Sequence, residues 1–367
     1  GEKPYRFNWQ TPILLSSHNQ DILYMGSEFL HRSMNQGETW ERISGDLTNG
    51  EKEGNVAFGT LTTISESKFQ FGLLYAGSDD GKIHVSKDGG VSWQLISANL
   101  PQNLWVSRVV ASTHKKERVY ATLNDYRNDN FESYVYVSED YGATWTSISN
   151  GLTQAVNVIV EDSVNENILY VGTDNGLFIS LDKGANWQDF SNGMPNVAVH
   201  DAVIQTKAKE LIVGTHGRSI YKMDISKVQE VTKDVLAKNL HLFKVNDRTK
   251  SDRWGSQNYA WGKPSEPSQE IWFYSNVDGV VAVSITNESG IIVHTQKVEA
   301  KKGLNSFEFD YSLSKEVAEK WNKKDKNIKI KEAENKKFYL HVGKYKMTVS
   351  KDKASESKSF EVSAPKK

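Results

Sequence analysis

Polar and aromatic residues able to do chemistry recur on short β-rich segments predicted to line the centre of a repeated array. His200 and Asp201 are neighbours, and His216 and Arg218 flank a glycine in the turn THGRS. The other candidates on these segments are Asn8, Gln10, Trp105, Arg108, Asn157 and Glu161. Such a set predicts an acid/base pair, an anion clamp or a metal site. A structural use, satisfying backbone groups where strands separate, stays open.

A metal site is the least favoured of these uses. Adjacent residues of a strand point to opposite faces, so His200 and Asp201 would not converge on one ion. The chain has no cysteine and no His-Glu-x-x-His helical pair. We therefore predict no metal and no cofactor.

The elements that must position these residues are indicated by a motif that occurs four times. Each copy reads Ser-x-Asp/Asn-x-Gly-x-(Thr/Ser/Asn)-Trp, and the copies are SMNQGETW (33–40), SKDGGVSW (86–93), SEDYGATW (138–145) and SLDKGANW (180–187). The tryptophans are 53, 52 and 42 positions apart, a period typical of propeller blades. We expect the acidic or amide side chain to accept backbone amides two residues on. We also expect a positive φ at the glycine and burial of the indole between blades.

Each motif is accompanied by runs that alternate β-branched or aromatic residues with polar ones. Three runs precede it and one follows, which makes a four-stranded blade. A fifth unit, through YKMD ending at Asp224, lacks the motif. The prediction is an all-β protein with a partial propeller of about five blades over residues 1–224. This count favours the C-terminal portion of a longer protein over a small complete five-bladed ring.

A different organisation is predicted after Asp224. Ser226 and Gln229 have capping-box spacing ahead of a valine-lined helix, so residues 225–268 are predicted to be a linker helix and a wrapping loop. Seven short alternating runs then predict an immunoglobulin-like β-sandwich over residues 269–367. A lysine-rich insertion at 315–337 is predicted to hold a short helix.

Composition excludes several classes of partner. The chain has 45 basic and 46 acidic residues and a net charge of −1, so no overall field directs it to nucleic acid or to an anionic membrane. No apolar run approaches the roughly 20 residues that span a bilayer.

The motifs resemble the Asp-box, or BNR repeat, of sialidases, two-propeller xyloglucanases and the sortilin (VPS10) receptors. The strings NWQTPILLSSHNQDILYMG, WVSRVVAST, VNVIVED and GTHGRSIYKMD are similar to blades of large bacterial sortilin-like proteins often labelled glycosyl hydrolases. The resemblance implies a propeller with a trailing FlgD-like sandwich, in a secreted, periplasmic or cell-surface protein. Departures are also present: there is no Arg-Ile-Pro element, and the cysteine-rich module of sortilins has no counterpart in this chain.

Two functions follow as hypotheses. The favoured one is an extracellular or cell-envelope binding module for a protein, peptide or glycan, using Trp105, Arg108, Asn157, His200, His216 and Arg218. The alternative, implied by the resemblance, is a BNR-type glycoside hydrolase whose site is completed by a missing N-terminal part. Such hydrolysis uses two carboxylates that face each other across a cleft. At most half of that site is expected in this chain, and Glu161 or Asp201 is its predicted catalytic carboxylate. The expected further partner is that N-terminal part or another subunit.

Overall fold

The chain folds into two units made mainly of β-strands, as the composition of its runs predicts. The computed structural model describes residues 4–54, 57–191, 193–257, 259, 261–324 and 328–365. The compact units are Gly1–Gln229 and Glu230–Lys367. Within the described ranges no helix is long and apolar enough to cross a bilayer.

The first unit consists of successive antiparallel sheets, which are the predicted blades. Blade 1 contains β1 (Ile13–Leu15), β2 (Leu23–Gly26), β3 (Leu30–Ser33) and β4 (Glu41–Arg42). Blade 2 contains β5 (Leu61–Glu66), β6 (Leu74–Ser78), β7 (Ile83–Ser86) and β8 (Gln94–Leu95). Blade 3 contains β9 (Trp105–Ala111), β10 (Val119–Asp125), β11 (Asn130–Ser138) and β12 (Thr146–Ser147), with a 3-10 turn at Tyr126–Asn128. Blade 4 contains β13 (Val156–Glu161), β14 (Leu169–Thr173), β15 (Gly176–Ser180) and β16 (Gln188–Asp189). Blade 5 contains β17 (Val199–Gln205), β18 (Glu210–Thr215) and β19 (Ile220–Asp224).

Consecutive strands pair in every blade, so each sheet is a simple meander. Apolar cores form between neighbouring blades. Tyr24 and Leu30 of blade 1, for example, share a buried cluster with Leu61 and Leu74 of blade 2. Four-stranded meanders that pack in series through shared cores are a propeller arrangement. The prediction of four complete blades and a shorter fifth is confirmed.

The four repeat motifs join the third and fourth strands of blades 1–4, and we call them the staple loops. In each loop the serine hydroxyl accepts the glycine amide at 2.7–2.8 Å. The glycines have φ between 89° and 95°, as predicted. The Asp or Asn carboxyl or amide oxygen accepts the amide four residues on, at 2.8–3.0 Å. The expectation of a partner two residues on is wrong, because the left-handed glycine folds the later part of the loop back over the side chain.

The staple tryptophans connect blades through their indole N–H groups. Three of them donate to the carbonyl of an isoleucine beside the fourth strand of the preceding blade: Trp93 to Ile43 (2.9 Å), Trp145 to Ile96 (2.8 Å) and Trp187 to Ile148 (2.7 Å). These three indoles are half-buried at the junctions, so the burial predicted between blades is partial. Trp40, in the first staple loop, instead donates to Gly37 of its own loop at 3.0 Å.

The meander gives every blade two distinct ends. The hairpin end holds the start of the first strand and the hairpin between the second and third strands. The staple end holds the turn between the first and second strands together with the staple loop. Because the blades repeat in register, the first unit as a whole has a hairpin end and a staple end.

The predicted linker helix is divided into two single turns, α1 (Ser226–Gln229) and α2 (Lys233–Leu236). Thr232 separates them, because its backbone is extended (φ −89°, ψ 171°) and its side chain accepts the amide of Val235. A threonine at this position supplies an N-cap and starts a new helix.

The second unit is a β-sandwich around one apolar core, and its strands form two larger sheets and one short pair. The three-stranded sheet contains β20 (Leu240–Leu242), β22 (Gln269–Ser275) and β25 (Gly303–Phe309). The five-stranded sheet contains β21 (Arg248–Thr249), β23 (Gly279–Asn287), β24 (Ile292–Ala300), β28 (Gly343–Lys351) and β29 (Ala354–Ser363). The short pair consists of β26 (Ser312–Leu313) and β27 (Phe338–Tyr339).

Both larger sheets contribute to the core of this unit, with Phe273 and Phe309 in the same cluster as Val283 and Met347. The segment predicted as a wrapping loop supplies β20 and β21, so part of it belongs to the sandwich. The predicted short helix is α3 (Lys315–Lys324), and its Trp321 is buried in the same core. The lysine-rich insertion also includes residues outside the described ranges. The immunoglobulin-like assignment stays a prediction.

Candidate functional site

Arg108 and Asp201 come together at the innermost strands although they are far apart in sequence. A guanidinium nitrogen of Arg108, on β9, donates to a carboxylate oxygen of Asp201, on β17, at 2.8 Å. The same nitrogen is 3.5 Å from the carbonyl of His200. The Asp201 side chain is 67% exposed and that of Arg108 is 31% exposed. The pair therefore links blades 3 and 5 while leaving its carboxylate open to solvent.

His200 and His216 form a ring pair next to that ion pair. Their ring centroids are 5.1 Å apart at an interplanar angle of 31°. His216 lies in the β18–β19 hairpin, held by its amide donating to the carbonyl of Ala198 at 2.9 Å. Partial removal from water lowers the pKa of His200, and the neighbouring His216 lowers it further, while Asp174 acts in the opposite direction. His200 is therefore expected to be neutral at neutral pH, with one ring nitrogen able to accept a hydrogen bond.

Asn157 belongs to an amide and carboxylate network on blades 3 and 4. Its side-chain nitrogen donates to Asp174 at 2.8 Å, and its side-chain oxygen accepts from Asn124 at 3.0 Å. Asp174 lies in the β14–β15 hairpin, and its charge acts on His200. The predicted binding residues Arg108, Asn157, His200 and His216 thus converge with Asp201 on blades 3 to 5. We call these five residues and Asp174 the inner-strand cluster.

Trp105 lies in a separate aromatic and cationic group at the hairpin end. The guanidinium carbon of Arg127 lies 4.4 Å from the centre of the Trp105 ring, a cation–π distance. Tyr126 is 6.2 Å from Trp105 between centroids and is 48% exposed. Arg127 is also 5.8 Å from the ring of Phe58. We call Phe58, Trp105, Tyr126 and Arg127 the aromatic patch.

The aromatic patch is anchored by a buried carboxylate. Arg127 donates to Asp79 at 3.3 Å, and the Asp79 side chain has no exposed area. Burial raises the pKa of Asp79, and hydrogen bonding from Thr60 together with the charge of Arg127 partly offsets this. An anchored guanidinium stacked on an indole presents a rigid surface, because the planar group is held on two sides.

The remaining sequence candidates have other placements. Arg218 is exposed in the β18–β19 hairpin, beside Ser219 with a φ of 82°. Asn8 is buried and donates to Thr60 at 3.0 Å, and it accepts the amide of Gln10. Asn8 therefore has the structural role that the sequence left open, while Gln10 is exposed next to it.

Glu161 is a catalytic carboxylate in the sequence prediction, but the structure places it where a substrate has no access. Its side chain is 1% exposed, at the staple end of blade 4. Its two carboxylate oxygens accept hydrogen bonds from blade 3. The donors are the Ser112 hydroxyl (2.8 and 2.9 Å), the Thr113 amide (2.6 Å) and hydroxyl (3.2 Å), the Arg118 guanidinium (3.3 Å) and the Tyr120 hydroxyl (2.9 Å). Glu161 and these four residues are the Glu161 cluster, a junction between blades.

The same junction occurs between blades 1 and 2. Glu66 accepts the hydroxyl of Ser16 at 2.6 Å, the amide of Ser17 at 3.2 Å and the hydroxyl of Tyr24 at 3.0 Å. Glu66 occupies the position in β5 that Glu161 occupies in β13, since each pairs with the leucine directly before a tyrosine in the next strand. A carboxylate at this position recurs as a structural element, so nothing singles out Glu161 for catalysis.

Asp201 and Glu161 also lie at different heights of the array. Asp201 pairs with Gly214 of β18, and Val158 pairs with Gly172 of β14. Both glycines directly precede the threonine that ends the second strand, so Asp201 is at the position in blade 5 that Val158 has in blade 4. Glu161 lies three residues farther along its strand, which is about 10 Å at roughly 3.3 Å per residue. The two predicted catalytic carboxylates therefore do not face each other.

Sequence reasoning missed Arg127, Tyr126 and Asp174 because none of them lies on a first strand. A signal was present for two of them: the β10–β11 connection of blade 3 is longer than the tight SDDGK and TDNG turns of blades 2 and 4. An extended hairpin in one repeat is a frequent location for binding residues. Within the described part of the chain, no three His, Cys, Asp or Glu side chains are grouped to hold a metal ion.

Comparison with known proteins agrees with the blade pattern. Residues 133–307 match the family model described as Sortilin-Vps10 (sortilin, neurotensin receptor 3). Over this stretch the chain is sortilin-like. The resemblance inferred from the blade strings is confirmed there, on under half of the chain. A search of curated proteins finds no match.

Solved structures with similar folds include three GH74 enzymes. The one from Niastella koreensis is 21% identical, with 58% of this chain and 36% of that chain covered and a TM-score of 0.46. The xyloglucanase from Xanthomonas campestris is 12% identical, with 97% and 55% covered and a TM-score of 0.48. An ancestral GH74 enzyme is 16% identical, with 81% and 39% covered and a TM-score of 0.47. This chain thus spans about a third to a half of their length, and likeness at this level carries no information on activity.

Proposed function

We propose that the chain is a binding module that recognises a protein, peptide or glycan across the hairpin end of its blades, in an extracellular or cell-envelope setting. The observation that supports this is the co-location of the inner-strand cluster and the aromatic patch at that end. Asn124 links the two groups, because its side-chain nitrogen donates to Asn157 at 3.0 Å and its side-chain oxygen accepts the amide of Tyr126 at 3.0 Å. Aromatic rings, a cation and hydrogen-bonding side chains on one surface are typical of recognition sites.

The chemistry of the surface favours a ligand with polar or anionic groups. Arg218 and the neutral His200 offer a positive charge and a hydrogen-bond acceptor, and Tyr126 offers an exposed ring. The negative charge of Asp201 offsets the positive charge of Arg108. The surface therefore selects ligands by where their charged groups lie, rather than by a field of one sign. Both an acidic peptide and an anionic glycan fit this description, and a binding screen with both kinds of ligand distinguishes them.

The geometry gives no support to the hydrolase alternative. Hydrolysis of a glycoside needs two carboxyl groups about 5 to 10 Å apart on either side of the bond. Glu161 is buried and its oxygens are engaged within the blades, so of the two candidates only Asp201 is open to a ligand, and none of the observations above places a second carboxylate across from it. Asp201→Asn discriminates between the functions, since a hydrolase would lose its turnover and a binding module has none to lose.

The test is an array of acidic and neutral peptides and oligosaccharides, probed with the whole chain and with three variants. Trp105→Ala removes a ring from the aromatic patch, and His216→Ala removes a ring from the inner-strand cluster. Phe69→Ala is the matched control, because Phe69 is a 48% exposed aromatic residue in the turn between β5 and β6, at the staple end.

We expect a ligand class whose affinity falls at least tenfold, about 1.4 kcal/mol, in the two hairpin-end variants and is unchanged in the control. Loss only of acidic peptides or only of anionic glycans identifies the class. Equal loss in the control, or ligands that ignore all three changes, would refute binding at the hairpin end.

A further inference from the structure

The outer face of blade 1 is built like the covered faces inside the array, but no described residue of the first unit covers it. Side chains alternate along β1, and Leu14 packs into the core shared with blade 2. Ile13 and Leu15 therefore point the other way, and they are 64% and 63% exposed. Two aliphatic residues side by side on a first strand form an unpartnered apolar surface.

Equivalent residues of the other blades show what belongs on such a surface. Leu14, Val110 and Val160 each pair with a tyrosine of the second strand of their blade. Ile13, Val109 and Ile159 directly precede them and are therefore equivalent positions. Val109 and Ile159 are 1% exposed, and each lies in the core shared with the preceding blade. Leu15 corresponds by the same register to Ala111 and Glu161, which are 7% and 3% exposed. In each case the cover is the blade before.

The first staple loop also lacks the contacts that a preceding blade makes with the later staple loops. The later staple tryptophans each donate to an isoleucine carbonyl of the preceding blade, whereas Trp40 is 40% exposed and donates within its own loop. The staple glycines differ in the same way. A Cβ placed on Gly142 or Gly184 would lie 2.3 or 2.8 Å from Ile96 or Ile148, but one on Gly37 would meet only Trp40, at 3.8 Å.

We propose that the surface formed by Ile13, Leu15, Gly37 and Trp40 is the docking site for one further blade of the same repeat type, carried outside residues 1–367. The fourth strand of that blade presents an aliphatic side chain to Gly37 and a free backbone carbonyl to the indole of Trp40. The argument is the internal repetition: three junctions in this chain show the complementary surface, residue by residue. This surface is distinct from the hairpin end and does not depend on the function proposed there.

A second copy of this chain is a poorer fit. The isoleucine carbonyls that follow the fourth strands of blades 1, 2 and 3 are already engaged by Trp93, Trp145 and Trp187. Blade 5 has three described strands and no staple loop, so it lacks the fourth strand that the site requires. Self-association is therefore an outcome that would contradict the proposal.

The first experiment adds the missing blade from the chain's own sequence. A copy of residues 105–150 is joined ahead of the full chain through a glycine–serine linker, and tryptophans are labelled with 5-fluorotryptophan. The Trp40 fluorine resonance is assigned with Trp40→Phe, and its solvent isotope shift reports exposure. The matched control carries Ile148→Asp in the added copy only, because Ile148 is the residue that covers Gly184 and Trp187 at the native junction.

We expect the Trp40 resonance to move into the protected range of Trp93 and Trp145 in the extended chain and to stay exposed in the control. A Trp40 that is equally exposed in both proteins overturns the proposal. A Trp40 that becomes protected in the unextended chain as concentration rises would show a second copy in the site, and would overturn it as well.

A second measurement keeps the proposal testable if the extended chain does not fold. Benzoylphenylalanine replaces Ile13 in the protein produced in its native cells, and Leu14, which faces blade 2, is replaced in the control. Photo-cross-linked peptides are then sequenced. A peptide from the fourth strand of a repeat blade outside residues 1–367, captured from position 13 and not from position 14, supports the proposal. A peptide from a protein without such blades, or no cross-link at position 13, refutes it.

Discussion

The carboxylates of Glu161 and Glu66, at the staple end, and of Asp201, at the hairpin end, are used in opposite ways. At the staple end, Glu161 and Glu66 are buried and every carboxylate oxygen accepts hydrogen bonds from a neighbouring blade. At the hairpin end, Asp201 accepts from Arg108 and its own strand, and stays 67% exposed. Glu161 and Glu66 at the staple end thus join blades from the interior, whereas the carboxylate of Asp201 at the hairpin end stays accessible.

The difference shows that residue type on a first strand does not reveal function. Glu161 and Asp201 are both acidic, and both lie on innermost strands, yet their heights along the strand differ by about 10 Å. Buried polar groups are satisfied by the protein itself, so the burial of each carboxylate, and not its residue type, decides whether it can meet a ligand.

The largest effect is expected for Glu161→Leu. The substitution leaves the Arg118 guanidinium, which is 5% exposed, without one of its partners, and removes the acceptor of four donor residues. Breaking a buried charged network costs about 3–5 kcal/mol. Urea unfolding of the whole chain should show that loss in the free energy of unfolding of the first unit.

Glu166→Leu is the matched control for that prediction. Glu166 also pairs with Arg118, at 3.0 Å, but it is 41% exposed. Exposed ion pairs contribute about 0–1 kcal/mol. A loss for Glu166→Leu as large as that for Glu161→Leu would contradict the contrast between buried and exposed carboxylates.

A smaller loss is expected for Glu66→Leu, at the junction between blades 1 and 2. Its acceptor oxygens serve two serines and a tyrosine, and no arginine is among the donors found there in the described part of the chain. Leaving neutral donors unsatisfied costs about 1–3 kcal/mol. The same urea unfolding measures this loss. A loss for Glu66→Leu above that for Glu161→Leu would contradict the prediction that Arg118 makes the junction between blades 3 and 4 the stronger of the two.

The hairpin end should tolerate the comparable change. Asp201→Asn removes an exposed ion pair with Arg108, so the free energy of unfolding should change by less than about 1 kcal/mol. Thermal unfolding of the variant beside the wild type measures this. A loss above about 2 kcal/mol, the range of a broken buried hydrogen bond, would mean that Asp201 holds blades 3 and 5 together as Glu161 holds blades 3 and 4.

The smallest effect concerns the titration of His200. Partial burial and His216 lower the pKa of His200 below 6.5, and Asp174 opposes them. Because the folded pKa is the lower one, the unfolded chain takes up the proton first, and this contribution to stability is lost as the pH falls from the unfolded pKa through the folded one. An NMR titration should place the midpoint lower in Asp174→Asn and higher in His216→Gln. Shifts in the reverse directions would show that these groups do not act on His200.

Repetition in the sequence predicts the fold better than it predicts the site. The staple motif contains its own hydrogen bonds, so Ser86, Asp88 and Gly90 specify a loop that can be predicted from adjacent residues. The site depends on strands from different blades, and the contact of Arg108 with Asp201 joins residues 93 positions apart. Pattern reasoning identified both members of that pair, but it could not tell them from Glu161, because burial depends on which blade packs against which.

The indole-to-carbonyl bonds between blades 1 to 4 all run in one direction, with the donor in the later blade and the acceptor in the earlier one. Each bond is therefore a nearest-neighbour contact. In arrays built from such contacts, stability is approximately a sum of terms for single repeats and terms for the junctions between them. Removal of one indole is thus expected to weaken one junction and to leave the other junctions as they are.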